Sequence, residues 1–180
     1  MTIKIYQPFI KSVYISIVFL SSLFIISCEK ETETAYQDTS GFSTASVKLS
    51  INKIVIQPGN SMEIDITINN FPDTEGGGVN IKYDPELLQV KSITINDTAW
   101  DFINQPGNID NEKGVVSDIL VSSYKGISGN RVIATLEIMG NNTGDGNITL
   151  EESTLNPFAG GGNKLAVKFL NSEVNVKVVN

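Results

Sequence analysis

Apolar and polar residues alternate along most of the chain from Val47 onward, and a period of two residues is typical of β-strands. The alternation is clearest over residues 62–68, 131–138 and 174–178. Each of these runs would place one face of a strand in a core and the other face in water. No stretch beyond Val47 has a convincing helical period. The pattern therefore predicts a fold built from strands.

Turn-forming residues separate the alternating runs at short intervals. Glycine occurs with proline, asparagine or aspartate in most of these breaks, for example at Pro58-Gly59-Asn60 and Gly144-Asp145-Gly146. Short strands between glycine-rich turns indicate an all-β sandwich without an internal repeat. The predicted strands are nine segments, the last of them long enough for two: 47–51, 53–57, 62–69, 78–83, 87–95, 114–122, 131–139, 147–151 and 164–179.

The N-terminal residues depart from this pattern. Lys4 and Lys11 give a positively charged start, and residues 13–26 are nearly all apolar, broken only by serines. The run is too short for a comfortable membrane span, which needs about 20 apolar residues. It is typical of a secretory signal peptide. A plain uncleaved N-terminal anchor is the alternative.

The segment Ile25-Ile26-Ser27-Cys28 resembles a bacterial lipobox, in which the cysteine is acylated and becomes the new N-terminus. Cys28 is the only cysteine of the chain. The resemblance implies a lipoprotein signal peptide at residues 1–27, lipidation at Cys28, and a membrane-anchored lipoprotein outside the cytoplasm, at the outer membrane or the cell surface. Several acyl chains together anchor a protein stably.

Residues 28–46 are polar, rich in threonine, serine and glutamate, and have no apolar period. We interpret them as a flexible tether that leads to one folded domain at residues 47–180. The acidic residues Glu29, Glu31 and Glu33 also resemble the surface-export signal of some Gram-negative lipoproteins. A solvated linker explains them equally well.

Composition and charge narrow the possible functions. Without residues 1–27, which contain two lysines, the chain keeps 11 basic residues against 20 acidic residues, a net charge of −9. An acidic surface argues against binding to nucleic acid. The chain has no histidine, which excludes Ser-His-Asp and Cys-His catalysis. We expect no enzyme activity, no disulfide and a monomer.

A series of motifs along the folded part resembles a known family. The most specific piece is Tyr83-Asp84-Pro85 followed by Leu87-Leu88-Gln89-Val90. Before it come the Pro58-Gly59-Asn60 turn, the alternating strand at 62–68 and Asn70-Phe71-Pro72, and after it come the segments 114–123, 132–138, 146–150 and 174–176. Their order and spacing resemble a cohesin domain, the receptor module of cellulosome scaffoldins.

The resemblance implies a nine-stranded β-sandwich with jelly-roll topology. Cohesins bind dockerins, which are small calcium-loaded helical modules of secreted enzymes, on one flat sheet face. We therefore expect a dockerin-type partner, with the calcium in the partner and no cofactor in this chain. The same fold is shared by modules that bind polysaccharide, which makes polysaccharide the alternative ligand.

The resemblance also implies where a partner would bind. In cellulosomal cohesins, polar side chains on the strand before the Tyr-Asp-Pro motif contact the dockerin, and two of the corresponding positions here are glycine. Glycines would leave bare backbone that a partner could approach closely. A glycine-rich hairpin with no partner is the alternative. The implied partner-binding residues are Gly76, Gly78, Asn80, Lys82, Asp110, Ser122, Ser123 and Tyr124.

Oxygen-bearing side chains alternate at Asn108, Asp110 and Glu112, as they do at the start of a calcium loop. Ile119 stands where a twelve-residue loop would need its last glutamate, so a polar connecting loop is the favoured interpretation. We predict no metal site.

Two further groups were weighed as sugar or catalytic sites. Trp100 near Asp101 suggests a sugar-stacking platform, but an aromatic residue that closes the end of the sandwich is the more common use. Glu151 and Glu152 are adjacent on a predicted strand and would face opposite ways, so they form no acid–base pair. Three functions remain: a partner-docking module, a carbohydrate-binding module, and a structural surface lipoprotein without a soluble ligand.

Overall fold

The computed structural model describes residues 44–178, and every regular element in this part of the chain is a β-strand. The strands are β1 (Ser46–Leu49), β2 (Lys53–Ile56), β3 (Ser61–Lys82), β4 (Leu88–Ile95), β5 (Phe102–Asp110), β6 (Val115–Gly140), β7 (Gly144–Glu152), β8 (Ala159–Gly160), β9 (Asn163–Lys164), β10 (Lys168–Phe169) and β11 (Ser172–Val176). The predicted signal peptide, Cys28 and the tether up to residue 43 lie outside the described residues. No helix within residues 44–178 is long and apolar enough to cross a bilayer.

Strands β3 and β6 run antiparallel along nearly their whole length, from the pair Ser61–Met139 to the pair Lys82–Val115. The sequence predicted each of them as two strands with a break. The structure instead keeps them paired through a bend, where the register shifts several times between Ile68 and Gly76. Such shifts are β-bulges, which let a strand change direction without losing its partner.

At the bend, β3 and β6 pass together from one sheet into a second sheet, and the two sheets pack on each other. The first sheet has the order β10-β1-β3-β6-β4 and uses the first half of β3 with the second half of β6. The second sheet has the order β7-β3-β6-β5 and uses the other halves, with β8 beside Gly76. Strands β2 and β11 are parallel to each other and extend the edge at β7. The predicted all-β sandwich is confirmed, with eleven strands where nine were expected.

One core lies between the two sheets. Ile64 and Ile66 of the first sheet and Val79 and Ile81 of the second sheet are all buried in the same apolar cluster. Ile64 and Ile66 are apolar positions of the alternating run at 62–68, so the period of two identified the inner face of that strand correctly. Burial of each such side chain contributes about 1.5–3 kcal/mol.

Trp100 closes the end of this core. Its side chain is 1% exposed, and its indole Nε1–H donates to the carbonyl oxygen of Val132 at 3.0 Å. A buried indole normally needs such an acceptor for its N–H. The buried ring agrees with the favoured interpretation of Trp100 as an aromatic residue that closes the sandwich, and it leaves no exposed indole face for a sugar platform.

Strand β5 is the main element that the sequence did not predict. It was expected to be a loop, yet it pairs with β6 from Phe102–Ser122 to Asp110–Val115. Most of its residues are exposed or half-buried, so no buried face gives it an alternating pattern. Pro106 is tolerated because β5 is an edge strand, where a missing N–H interrupts no second neighbour.

A short segment, residues 153–158, folds back over β3 and is called the strap below. The Ser153 N–H donates to the carbonyl oxygen of Gly78 at 3.0 Å. At the other end of the strap, the buried ring of Phe158 lies edge-to-face on Phe71, with the ring centroids 5.0 Å apart. A methyl group on Gly77 would lie 2.1 Å from the Phe158 ring. The strap therefore requires a glycine at this point of β3.

We expect Gly77→Ala to lower the free energy of unfolding by about 1–3 kcal/mol, because the new methyl group overpacks a core that cannot shift. Gly146→Ala is the matched control. Its methyl group would meet only the end of the flexible Leu87 side chain, at 2.7 Å. Urea unfolding of both variants and the parent measures the difference. Equal stability of the two variants would show that Phe158 does not pack on Gly77.

Candidate functional site

The predicted partner-binding residues lie on three adjacent strands of the second sheet. Gly76 on β3 is opposite Ser122 on β6, and Ser122 is opposite Phe102 on β5. Asn80 and Lys82 continue along β3, whereas Asp110 is at the far end of β5. The fold therefore brings the strands of the proposed site side by side, as the sequence indicated. We call the solvent side of β3, β6 and β5 the outer face.

The two glycines do not offer bare backbone to a partner, and this expectation is wrong. Gly76 and Gly78 are both buried. An added methyl group on Gly78 would lie 2.4 Å from Leu120 Cδ2 and 2.8 Å from Ser153 Cβ. The strap and Leu120 thus occupy the space that a side chain at position 78 would fill, and a partner meets them rather than the glycine.

Asn80 belongs to a closed polar network under the strap. Its Oδ1 accepts a hydrogen bond from the backbone N–H of Asp118 at 2.8 Å. Asp118 has a φ of 59°, a left-handed conformation that is uncommon for residues other than glycine. Its Oδ1 in turn accepts from Ser153 Oγ–H at 3.0 Å. Asn80 therefore holds a bulge in β6 and ties it to the strap, which is a structural role.

The charged predicted residues also have partners within the chain. Lys82 Nζ lies 2.8 Å from Glu151, and Lys113 Nζ lies 2.7 Å from Asp110, with the lysines well exposed. The side-chain and backbone hydrogen bonds from Lys113 lower the pKa of Asp110, and the same contact raises the pKa of Lys113. Exposed pairs of this kind contribute little and weaken with salt.

Asp101 organises the end of the outer face. Its Oδ2 accepts from Ser123 Oγ–H at 2.8 Å and from the Tyr124 backbone N–H at 3.0 Å. Ser123 is buried, so its side chain positions the strand and is not available to a partner. Ser122 Oγ exchanges hydrogen bonds with the side chain of Asn104. Among these residues, Tyr124 stands out because its side chain is 85% exposed.

Sequence reasoning missed the other exposed apolar residues of this face. Phe102 is 39% exposed and packs edge-to-face on Tyr124, with centroids 4.4 Å apart. Leu155, at the top of the strap, is 68% exposed. Phe102 begins β5, a segment that was expected to be a loop, so its place on a sheet face was not predicted. Leu155 is the only apolar side chain besides proline in the stretch Glu-Ser-Thr-Leu-Asn-Pro at residues 152–157. This isolation in a polar segment was the sequence feature that could have indicated its exposure.

Nothing in residues 44–178 groups three or more cysteine, histidine, aspartate or glutamate side chains as a metal site would. Asn108 and Asp110 lie in strand β5 and not in a connecting loop. Glu151 and Glu152 do face different ways, because Glu151 pairs with Lys82 and Glu152 pairs with Lys164. Glu151 and Glu152 therefore form no acid–base pair with each other.

The Tyr-Asp-Pro motif lies at one end of the second sheet and stabilises that end through hydrogen bonds. Buried Tyr83 donates its hydroxyl hydrogen to Asn111 Oδ1 at 2.7 Å, and the same oxygen accepts from the Val90 N–H at 2.9 Å. Asp84 Oδ1 accepts from the Glu86 N–H at 2.9 Å, which forms the turn after β3. Burial raises the pKa of Tyr83 above its ordinary value.

The family described as Cohesin domain matches residues 47–176, so the chain belongs to the cohesin domain family. Cohesin domains need no cofactor of their own. Among curated proteins, no match is found.

Solved structures show the same fold. The cohesin of a type I cohesin–dockerin complex from Clostridium thermocellum has a TM-score of 0.60 at 16% identity, covering 75% of this chain and all of that chain (100%). A cohesin of Clostridium acetobutylicum has a TM-score of 0.58 at 20% identity, covering 74% and 92%. A non-cellulosomal cohesin of the archaeon Archaeoglobus fulgidus has a TM-score of 0.59 at 12% identity, covering 76% and 93%. At sequence identities this low, the similarity shows a shared fold and nothing more.

The raised pKa of Tyr83 gives a pH prediction. A group whose pKa is higher in the folded state stabilises the fold below its ordinary pKa, and this contribution is lost as pH rises through the folded-state pKa. Residues 42–180 contain only two tyrosines, Tyr83 and Tyr124. We expect one phenolate absorbance step above the ordinary tyrosine pKa. It should vanish in Tyr83→Phe and persist in Tyr124→Phe, and the reverse assignment would contradict the burial argument.

Proposed function

We propose that this protein is a non-catalytic receptor that binds a dockerin-type module on the outer face of the second sheet. The observation that carries the proposal is the cohesin family match over residues 47–176. The Tyr83-Asp84-Pro85 motif comes directly after β3, one of the three strands of this face. The calcium of the complex belongs to the dockerin.

The N-terminal sequence supports a cellular role for such a receptor. A lipid on Cys28 and a polar tether would hold the domain at a membrane outside the cytoplasm. The domain would then retain secreted proteins that carry a dockerin, including enzymes of polysaccharide degradation. This part of the proposal rests on the sequence features of residues 1–46.

Direct carbohydrate binding is the second candidate, and one observation favours it. The exposed rings of Phe102 and Tyr124 form an aromatic pair at the end of the outer face. Exposed aromatic side chains have an apolar face and, in tyrosine, a polar tip, which together suit sugar rings. Affinity gels containing individual polysaccharides distinguish this candidate, because retention without any protein partner would support it.

The first experiment uses residues 42–180, which form a compact unit of their own. Purified dockerin-type modules from the source organism are titrated into this domain with calcium and then with a chelator. We expect binding with calcium only, because chelation unfolds the partner's calcium-dependent structure. Absence of binding to every such module in calcium would overturn the proposed function.

Ser122→Arg tests the location of the site. Ser122 is near the middle of the outer face, and a long charged side chain there would block contact and leave its charge poorly solvated. We expect at least about tenfold weaker binding. Thr94→Arg, at an exposed position of β4 in the first sheet, is the matched control and should bind normally. If both variants bind like the parent, the partner uses a different surface.

Asn80→Ala is unsuitable for the same purpose. It would remove the acceptor for the Asp118 N–H in a bulge that already has a left-handed residue. Loss of a buried hydrogen-bond partner costs about 1–3 kcal/mol, so weaker binding could reflect a damaged sheet. Ser122 carries less of this risk, since its partner Asn104 is exposed and can bond to water instead.

A further inference from the structure

The polar groups of the outer face beside the strap have partners within the chain. Asn80, Asp118 and Ser153 form one network, and Lys82 is paired with Glu151. A partner that bonded to any of these groups would first have to break an internal hydrogen bond or ion pair. Exchange of one such bond for another yields little net free energy.

The large apolar side chains of the same face are exposed to solvent. Leu155 and Tyr124 are the most exposed large apolar side chains of residues 44–178, at 68% and 85%. Phe102 supports Tyr124 from the side at 4.4 Å, which fixes the position of the tyrosine ring. Buried aromatic and aliphatic anchors contribute most of the energy in typical protein interfaces.

We infer that this domain holds its partner through two apolar contacts, one on Leu155 of the strap and one on the Phe102–Tyr124 pair, and not through the polar residues between them. The inference rests on the proposed function, since it specifies the chemistry of the dockerin-type partner. That partner presents apolar side chains to the outer face and needs no charged group there.

The geometry of the face sets the spacing of the two contacts. The strap begins beside Gly78, which is opposite Leu120, and Tyr124 lies four residues further along β6. A strand rises about 3.3 Å per residue, so Tyr124 lies on the order of 13 Å along β6 from Leu120, the residue beside the start of the strap. Two turns of an α-helix span about 11 Å. A partner helix that lies along β6 would therefore bring apolar residues about two turns apart to the two ends of this stretch.

The strap explains why this chain uses such an arrangement. The space that a side chain at position 78 would fill is taken by the strap, with Ser153 Cβ 2.8 Å and Asn156 O 3.2 Å from a methyl group built on Gly78. Leu155 stands between these two strap residues and is 68% exposed. One structural element thus covers the glycine and supplies an apolar contact.

The test measures affinity of residues 42–180 for the purified, calcium-loaded dockerin-type module that binds the parent most tightly. We expect Leu155→Ser and Tyr124→Ser each to weaken binding by about tenfold or more. Lys82→Ala should change the affinity less than about twofold, and so should an increase in salt that screens exposed charges. Leu170→Ser is the control, because Leu170 is 44% exposed beside the first sheet.

Three results are possible, and each is decisive. Loss of affinity in the Leu155 and Tyr124 variants, with unchanged thermal unfolding, supports the two-contact inference. Full affinity in both variants, or a loss confined to Lys82→Ala and high salt, overturns the inference and leaves the proposed function standing. Absence of binding by the parent to every dockerin-type module overturns the proposed function and the inference together.

Discussion

The continuous antiparallel pairing of β3 with β6 is the interaction on which the rest of the structure depends. Because these strands stay paired through their bend, the same two segments contribute to both sheets and place them face to face. The apolar residues of each half then meet in one core without any disulfide. The outer face is the solvent side of the second half of this pair, so its position is fixed by the core beneath it.

Much of this fold could be predicted from the sequence, for a definite physical reason. Residues such as Ile64 and Ile81 are buried on one side only, and one-sided burial produces the period of two that identifies a strand. Strand β5 lacks a buried side, so its residues carry no such period. The bend was also read as a loop, because glycine and aspartate are common in turns and in bulges alike.

The neighbouring strands of the proposed site could be predicted from the sequence, but the surroundings of its residues only in part. The Tyr-Asp-Pro motif placed Asn80 and Lys82 on the strand that precedes it, and both residues do lie in β3. The motif carried no information about the strap, which reaches Gly78 from a segment 75 residues later, at Ser153. Contacts that are distant in sequence decide whether a position is open, and a local pattern does not report them. Leu155 and the burial of the glycines were missed for this reason.

The packing of Phe158 against Gly77 joins two parts of the chain that are far apart in sequence, and this affects how the domain folds. These residues are separated by 81 positions, so the contact forms only after most of the domain has been synthesised. Contacts between residues far apart in sequence slow folding, because a long loop must close before they are gained. The part of the outer face beside Gly78 exists only once the strap has closed against β3. A domain in which the strap has opened would lose the position of Leu155 and expose the glycines beneath it.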